Sequence, residues 1–228
     1  MAFCNLKVDK RRQELHTYIF ISVRSETFAI LVMHRYFILN KPRNMVSQFI
    51  SSHNVGLLGH LDFKFPPGTH ALGRLDKDSE GLLLLTTDKR TTRLLFSDES
   101  SHLRTYLVMV QNKITPATFA QLQNGIGIKI KNAEHYLAKP AALKCIDDPS
   151  IFYHYAQDKR EAYPHTWLLI TLTEGKYRQV RKMVLAARHR CLRLIRLSVS
   201  DIHLGNLKPG EVRELEENNF YRLLGIRL

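Results

Sequence analysis

The sequence predicts an α+β fold built around a mixed, largely antiparallel sheet flanked by helices. The chain of 228 residues is long enough to bury a core, and its 44% hydrophobic and 24% charged residues are typical of a globular protein. Short β-rich segments alternate with brief helical patterns between turn signals. Beyond Met33 no low-complexity linker or repeat divides the chain, so we expect residues 34–228 to form one domain.

The predicted sheet begins with two strands. Residues 36–39 are β-rich and are followed by a turn, because Pro42 cannot donate a ladder hydrogen bond and Asn44 tolerates a left-handed conformation. Residues 82–86 form an apolar run of strand length, as do residues 167–173 further along the chain. We expect both runs to be buried on two faces.

A helix is predicted between Pro116 and Gly125, after a β-rich strand at residues 106–110. Thr115 is placed to act as N-cap, Pro116 suits the first helical position, and Gly125 can end the helix. The remaining strands are predicted at residues 127–131 and 136–146, with loops at 147–150 and 157–165.

A last helix is expected after Gly175. Its apolar side chains recur at i, i+3, i+4 and i+7, which predicts one buried face. These side chains are Val180, Met183, Val184 and Ala187.

The charge of the chain indicates a polyanionic partner. Lys and Arg number 34 against 21 Asp and Glu, which gives a formal net charge of +13. Residues 176–196 alone carry eight Lys and Arg and no acidic residue. Such an excess favours nucleic acid over an anionic membrane, so we expect RNA or DNA as the partner.

Cysteine usage gives no sign of a disulfide framework or a metal centre. The three cysteines, Cys4, Cys145 and Cys191, are far apart and form no C-x-x-C pair. The eleven histidines form no H-E-x-x-H motif. We therefore expect no metal, no cofactor, and a reducing, cytoplasmic location.

Residues 1–33 are interpreted as an N-terminal appendage. Their apolar stretch at residues 18–23 is far shorter than the roughly 20 residues that a membrane span needs, and no clear signal-peptide cleavage pattern follows it. No membrane association is expected. In an alternative interpretation, Met33 is the initiator and the preceding residues belong to an over-extended reading frame.

Acidic residues at alternate positions lie directly before the apolar run at residues 82–86: Asp76, Asp78 and Glu80. As a calcium loop beginning at Asp76, the segment would have Gly81 at the sixth position, but Thr87 stands at the twelfth, where a bidentate Glu is required. A second interpretation treats these acids as turn and cap residues of an ordinary loop.

A long signature occupies residues 73–86: Gly-Arg-Leu-Asp-Lys-Asp-Ser-Glu-Gly-Leu-Leu-Leu-Leu-Thr. It resembles the signature of pseudouridine synthases of the RsuA type. Further segments resemble the family in the same order, at residues 39–42, 104–108, 174–183, 192–196 and 207–215. The resemblance covers about residues 35 to 216 and implies the pseudouridine synthase catalytic fold, with two lobes around a central cleft.

The resemblance implies a catalytic trio. Asp76 would be the catalytic carboxylate, Tyr106 would stack on the target base and take the C5 proton, and Arg181 would pair with the aspartate. The reaction breaks an N-glycosidic bond and forms a C–C bond, so it needs one carboxylate at the ribose, as nucleophile or as base at C2′. A guanidinium beside that carboxylate would keep it ionised in a dry pocket. Arg74 is implied to stand beside, or to replace, the extruded nucleotide.

Other basic residues in the matched segments are candidate RNA contacts: Lys41, Lys176, Arg178 and Lys182. Many family members begin with a small S4-type RNA-binding module, whose pattern is absent from residues 1–33. RNA docking would then fall to the basic surface of the catalytic domain. Asn44 stands where the family usually has Gly, a change that a turn tolerates.

These observations predict an enzyme without cofactor that isomerises a flipped-out uridine to pseudouridine in structured RNA. The chain is most similar to the shorter branch of the family, which implies large-subunit ribosomal RNA as substrate. Two alternatives stay open: a catalytically silent RNA-binding or ribosome-binding protein, and a tRNA-directed pseudouridine synthase. We expect a monomer without an obligate protein partner.

Overall fold

The computed structural model describes residues 18–19, 31–96, 102–130 and 134–227. The strands it describes are β1 (Tyr18–Ile19), β2 (Leu31–Val32), β3 (Tyr36–Lys41), β4 (His70–Ala71), β5 (Glu80–Thr86), β6 (Arg104–Gln111), β7 (Ile126–Lys129), β8 (His135–Ala138), β9 (Ala142–Ile146), β10 (His165–Leu172), β11 (Cys191–Val199), β12 (Ile202–His203) and β13 (Val212–Leu215). The α-helices are α1 (Arg90–Leu95), α2 (Pro116–Asn124), α3 (Gln179–Ala186) and α4 (Glu217–Leu224).

Nine of these strands form one sheet. Its order is β13-β3-β5-β11-β6-β10-β9, with β4 paired to β5 and β12 paired to β11. Strands β5 and β11 are parallel, and every other pairing between strands of this sheet is antiparallel. The predicted α+β class with a mixed, largely antiparallel sheet is confirmed. The inner position of β5 explains why all seven of its residues are buried.

Apolar side chains on the two faces of the sheet pack into separate cores. On one face, α4 packs Phe220 and Leu224 into a core that includes Leu107 of β6. On the other face, α3 packs against Val108 of the same strand. The predicted apolar stripe of α3 is confirmed, because its four side chains are all buried: Val180, Met183, Val184 and Ala187.

The end signals predicted for α2 are confirmed. The Thr115 Oγ1 atom accepts a hydrogen bond from the Thr118 N–H at 3.2 Å, and Pro116 occupies the first turn. Gly125 ends the helix at φ 108°, a conformation that favours glycine.

Three segments differ from their prediction. The strand predicted at residues 136–146 is divided into β8 and β9, since Pro140 lies between them and cannot donate a ladder hydrogen bond. The loop predicted at residues 157–165 contains a 3₁₀ turn, Lys159–Ala162, which the Asp158 side chain caps. Strand β10 begins earlier than expected, and one of its faces is only half-buried at Leu169.

The predicted N-terminal appendage lies mostly outside the described residues. Of that segment, β1 pairs with β2 in a two-stranded sheet that is separate from the nine-stranded one. Among the described residues, no helix is both long and apolar enough to cross a membrane.

Candidate active site

The acidic residues of the signature lie on the loop that leads into β5. We call residues 76–79 the acidic loop. The Ser79 N–H donates to the Asp76 carbonyl at 3.0 Å and closes the loop as a turn. Ser47 fixes the residue before it, because its hydroxyl accepts from the Leu75 N–H and donates to the Leu75 carbonyl, both at 3.0 Å. Backbone hydrogen bonds therefore set the position of the acidic loop.

Gly81 lets β5 approach β11 directly after the acidic loop. Its φ is +95°, and a Cβ atom at this position would lie 2.3 Å from the carbonyl oxygen of Arg196 and 2.8 Å from its nitrogen. Glycine is required here because the two strands approach closely. This contact explains Gly81 without a calcium loop.

A cleft of about 730 Å³ opens beside the acidic loop. Both Asp76 and Tyr106 line it, together with apolar side chains such as Val180 and Leu194. Six basic side chains also line the cleft: Arg74, Lys77, Arg104, Lys176, Arg178 and Arg196. Among the described lining residues, one carboxylate therefore stands with six cations, which makes the cleft suited to an anionic substrate.

Arg178 is the cation in contact with the Asp76 carboxylate. Its Nη1 atom lies 3.3 Å from Asp76 Oδ2, and its Nη2 atom lies 3.2 Å from Asp78 Oδ2. Arg178 directly precedes α3 and has a left-handed backbone, with φ at +53°. Burial raises the pKa of Asp78, but the hydrogen bond from Arg178 and the charges of Arg181 and Arg178 outweigh it, so that pKa lies below its usual range.

The expectation that Arg181 pairs with Asp76 is wrong. The Arg181 Nη2 atom donates to the Asp78 carbonyl at 2.9 Å and to Ser79 Oγ at 3.2 Å, and it lies 3.3 Å from Asp78 Oδ2. The left-handed backbone at Arg178 directs that side chain to Asp76 instead. Arg181, in the first turn of α3, contacts the far side of the acidic loop and does not line the cleft.

Tyr106 lies on β6, directly opposite Arg196 of β11, and is 8% exposed. The Arg196 Nε atom donates to the Leu82 carbonyl at 2.8 Å. Burial lowers the pKa of Arg196, and interaction with the Tyr106 phenol partly offsets that effect. Arg196 was not among the predicted site residues. A charged residue within the apolar run 192–199 was the signal that could have identified it.

The third acidic residue of the signature has a structural role. Glu80 forms a bidentate ion pair with Arg193 across the β5–β11 pair, at 2.9 Å and 2.8 Å. Both side chains are more than nine-tenths buried. Glu80 is therefore paired within the sheet and does not line the cleft.

The prediction that Lys41 contacts RNA is wrong. Lys41 is completely buried, and its Nζ atom donates to the carbonyls of Pro42 and Met45 at 2.9 Å and 2.7 Å. Burial lowers the pKa of Lys41 to about 8, although the charges of Glu80, Asp78 and Asp76 oppose the shift. The side chain turns inward at the end of β3 and holds the following turn together.

The other predicted RNA contacts differ in position. Arg74 and Lys176 are exposed at the cleft. Lys182 does not line the cleft: its Nζ atom donates to the Lys129 carbonyl at 2.7 Å and lies over the ring of Tyr177. Within the described ranges, no three His, Cys, Asp or Glu side chains are grouped so that they could hold a metal ion.

Comparison with known proteins gives a consistent result. A family model described as RNA pseudouridylate synthase matches residues 35–186. The ribosomal large subunit pseudouridine synthase E of Vibrio vulnificus is 36% identical over 186 residues, which are 81% of this chain and 76% of that protein. The ribosomal small subunit pseudouridine synthase A of Salmonella typhimurium is 33% identical over 184 residues, which are 80% of this chain and 71% of that protein.

A solved structure is also similar. It is described as a crystal structure of pseudouridylate synthase, with 28% identity and a TM-score of 0.66 over 84% of this chain and 74% of that one. The segment matched by the family model contains the acidic loop, β6 and α3. Most of the cleft lining therefore lies within the matched segment, whereas β11, which contributes Leu194 and Arg196, follows it.

Proposed function

The chain belongs to the RNA pseudouridylate synthase family and is an enzyme that isomerises uridine to pseudouridine in RNA, and from that premise we propose that its substrate is a uridine of large-subunit ribosomal RNA. Relatives named large-subunit synthase E support this choice, at up to 36% identity against 33% for those named small-subunit synthase A. The single observation that supports the catalytic assignment is the position of Asp76, which is the one carboxylate among the described residues that line the cleft.

We assign the reaction at the ribose to Asp76. The target uridine enters the cleft out of its stack, and the Asp76 carboxylate either attacks C1′ or removes the C2′ proton as the N1–C1′ bond breaks. Arg178 holds this carboxylate at 3.3 Å and orients it. The electron pair of the broken bond leaves on uracil, whose negative charge the surrounding cations stabilise.

We assign the proton transfer at C5 to Tyr106. After the uracil turns, C5 bonds to C1′ as the C1′–O bond to Asp76 breaks or, in the alternative route, as Asp76 returns the proton to C2′. The C5 proton then passes to the tyrosine oxygen as the phenol gives up its own proton, and N1 gains a proton. The ring of Tyr106 lines the cleft and offers a flat apolar surface for the uracil. Its burial in β6 fixes the ring, which suits stacking.

Pseudouridine mapping after reaction with purified protein tests the substrate. The substrates are unmodified transcripts of large-subunit rRNA, small-subunit rRNA and a tRNA pool, and Asp76→Asn is the control. We expect one new pseudouridine in the large-subunit transcript with the wild-type chain and none with the variant. Modification confined to small-subunit rRNA or tRNA would overturn the proposed target, and RNA binding without modification of any transcript would indicate a silent binder.

A further inference from the structure

A second recess opens beside the cleft and is lined by five arginines. Its volume is about 600 Å³, and we call it the arginine pocket. The arginines are Arg43, Arg160, Arg178, Arg181 and Arg190, and Asp78 is the one acidic residue among the described residues that line the pocket. Arg178 lines both the arginine pocket and the cleft, so the two recesses adjoin at this side chain.

Three of the five arginines already have acidic partners. Arg160 pairs with Asp158, while Arg178 and Arg181 both contact Asp78. The Asp78 carboxylate is therefore satisfied, and it offers little repulsion to a further anion. The Arg181 Nε atom is buried and has no hydrogen-bond partner within the described part of the chain.

Arg43 and Arg190 supply the unpaired charge. Both are exposed, and among the described residues neither has a carboxylate within ion-pair distance. An arginine held near other arginines without a counter-ion favours binding of an oxyanion, because the guanidinium donates two parallel hydrogen bonds to phosphate or carboxylate oxygens.

The backbone holds both residues in place. Next to Arg43, Asn44 has φ at +65° and donates its N–H to the Lys77 carbonyl of the acidic loop at 2.8 Å. The buried Lys41 binds the same turn from inside. The Arg190 carbonyl accepts from the Gln111 N–H of β6 at 2.9 Å. The backbone that carries these two cations is therefore fixed relative to Asp76, through the acidic loop and through the sheet.

We propose that the arginine pocket binds a backbone phosphate of the substrate RNA adjacent to the target uridine. This inference rests on the proposed function, because it takes the RNA strand in the cleft as given. The arginine pocket adjoins the cleft at Arg178, and this position favours RNA over an acidic peptide. An RNA strand whose target ribose lies at Asp76 must carry its next phosphates out of the cleft on one side. The phosphate would accept hydrogen bonds from Arg43 and Arg190 as well as from Arg178 and Arg181.

RNA binding at different salt concentrations tests this site without relying on turnover. The probe is a fluorescein-labelled RNA stem-loop with a uridine-containing loop, and the variant is Arg43→Gln with Arg190→Gln. The matched control is Arg213→Gln with Arg222→Gln, which removes the same charge from two exposed positions that line neither recess. Melting temperatures establish that both double variants fold.

We expect the pocket variant to bind more weakly and to lower the slope of log K against log salt by about 0.7 to 1.4, which corresponds to one or two single-strand phosphate contacts. The control should lose clearly less. The proposal would be overturned if the pocket variant bound RNA with the same affinity and the same salt slope as the control. It would also be overturned if the pocket variant bound a poly-aspartate peptide more weakly than the wild-type chain does, with RNA binding unchanged. If the wild-type chain bound RNA with this slope difference but formed no pseudouridine, the proposed function would fail and the phosphate site would stand.

Discussion

Arg178 and Arg181 stand three residues apart and have different roles at the acidic loop. Arg178 contacts the Asp76 carboxylate in the cleft, whereas Arg181 binds the backbone of the loop through the Asp78 carbonyl and the Ser79 hydroxyl. Arg178 is about one-third exposed and Arg181 about one-tenth. We therefore propose that Arg178 acts on the catalytic carboxylate and that Arg181 supports the loop.

Substitution of each arginine by methionine should separate these roles. Arg178→Met should reduce turnover strongly while lowering the free energy of unfolding by no more than about 1 kcal/mol, because partly exposed ion pairs contribute little. Arg181→Met should lower the free energy of unfolding by about 1 to 3 kcal/mol, because buried acceptors lose their donor. Tritium release from 5-labelled uridine and urea unfolding measure the two effects. Equal losses of stability in both variants would contradict the assignment.

The buried Lys41 should make stability depend on pH. Its pKa in the folded chain, about 8, lies below the ordinary value of 10.5, so between these values the unfolded chain binds more protons. Stability from this residue therefore rises with pH across that window, by on the order of 2 kcal/mol between pH 7.5 and 9.5. The free energy of unfolding in urea is measured at each pH for the wild-type chain and for Lys41→Met, and the difference between the two isolates the effect. A difference that stays constant with pH would show that Lys41 keeps its ordinary pKa.

Five of the side chains predicted for the site line the cleft, whereas Lys41, Arg181 and Lys182 do not. The five are Asp76, Tyr106, Arg74, Lys176 and Arg178, and the roles of Asp76 and Tyr106 are those that the family resemblance implies. The contact of Arg178 with Asp76 depends on a positive φ directly before α3, which tertiary packing imposes on a residue type without a preference for it. The burial of Lys41 could not be predicted from the sequence either, because lysine is almost always exposed and no sequence pattern marks the exception.

At the scale of elements, the parallel pairing of β5 with β11 fixes the acidic loop. The two strands cross closely at Gly81, and the Glu80–Arg193 ion pair ties them beside that point. Strand β5 was predicted as a buried apolar run and is found there, whereas residues 192–196 were identified only as a segment that resembles the family, without a strand prediction. Their parallel pairing could not be predicted, because it joins segments that are more than 100 residues apart along the chain.

Gly81→Ala should therefore destabilise the chain by about 3 kcal/mol or more, since the new Cβ atom would contact the backbone of β11 at 2.3 Å in a left-handed conformation. Activity should fall with it, because the acidic loop would have to move. Gly127→Ala on β7 is the matched control, since a Cβ atom there has nothing within 4 Å. Urea unfolding compares the two variants. A Gly81→Ala chain as stable as the control would contradict this account of the β5–β11 contact.

In the whole molecule, the sheet and its two helical faces hold a cleft and a neighbouring pocket, and we propose that both recesses contact one RNA strand. The nine-stranded sheet begins at Tyr36, and the short β1–β2 pair stands apart from it. Among the described residues, those that line the two recesses all come after residue 40.

We accordingly propose that a chain beginning at Met33 keeps the fold and most of the activity. Of the residues before Met33 that the structure describes, 18–19 and 31–32, none lines the cleft or the arginine pocket. Circular dichroism, melting temperature and pseudouridine formation measure the outcome. An insoluble or inactive shortened chain would show that the N-terminal residues pair with the sheet or contact RNA.

The central claim, that Asp76 performs the reaction, is tested most directly by tritium release from large-subunit rRNA transcribed with 5-labelled uridine. The wild-type chain should release tritium as C5 bonds to the ribose. Asp76→Asn keeps the size and polarity of the side chain and should release none, while binding the same RNA with nearly wild-type affinity, because the change removes no phosphate contact. An Asp76→Asn chain that kept a substantial fraction of the wild-type rate would show that another group carries out the reaction.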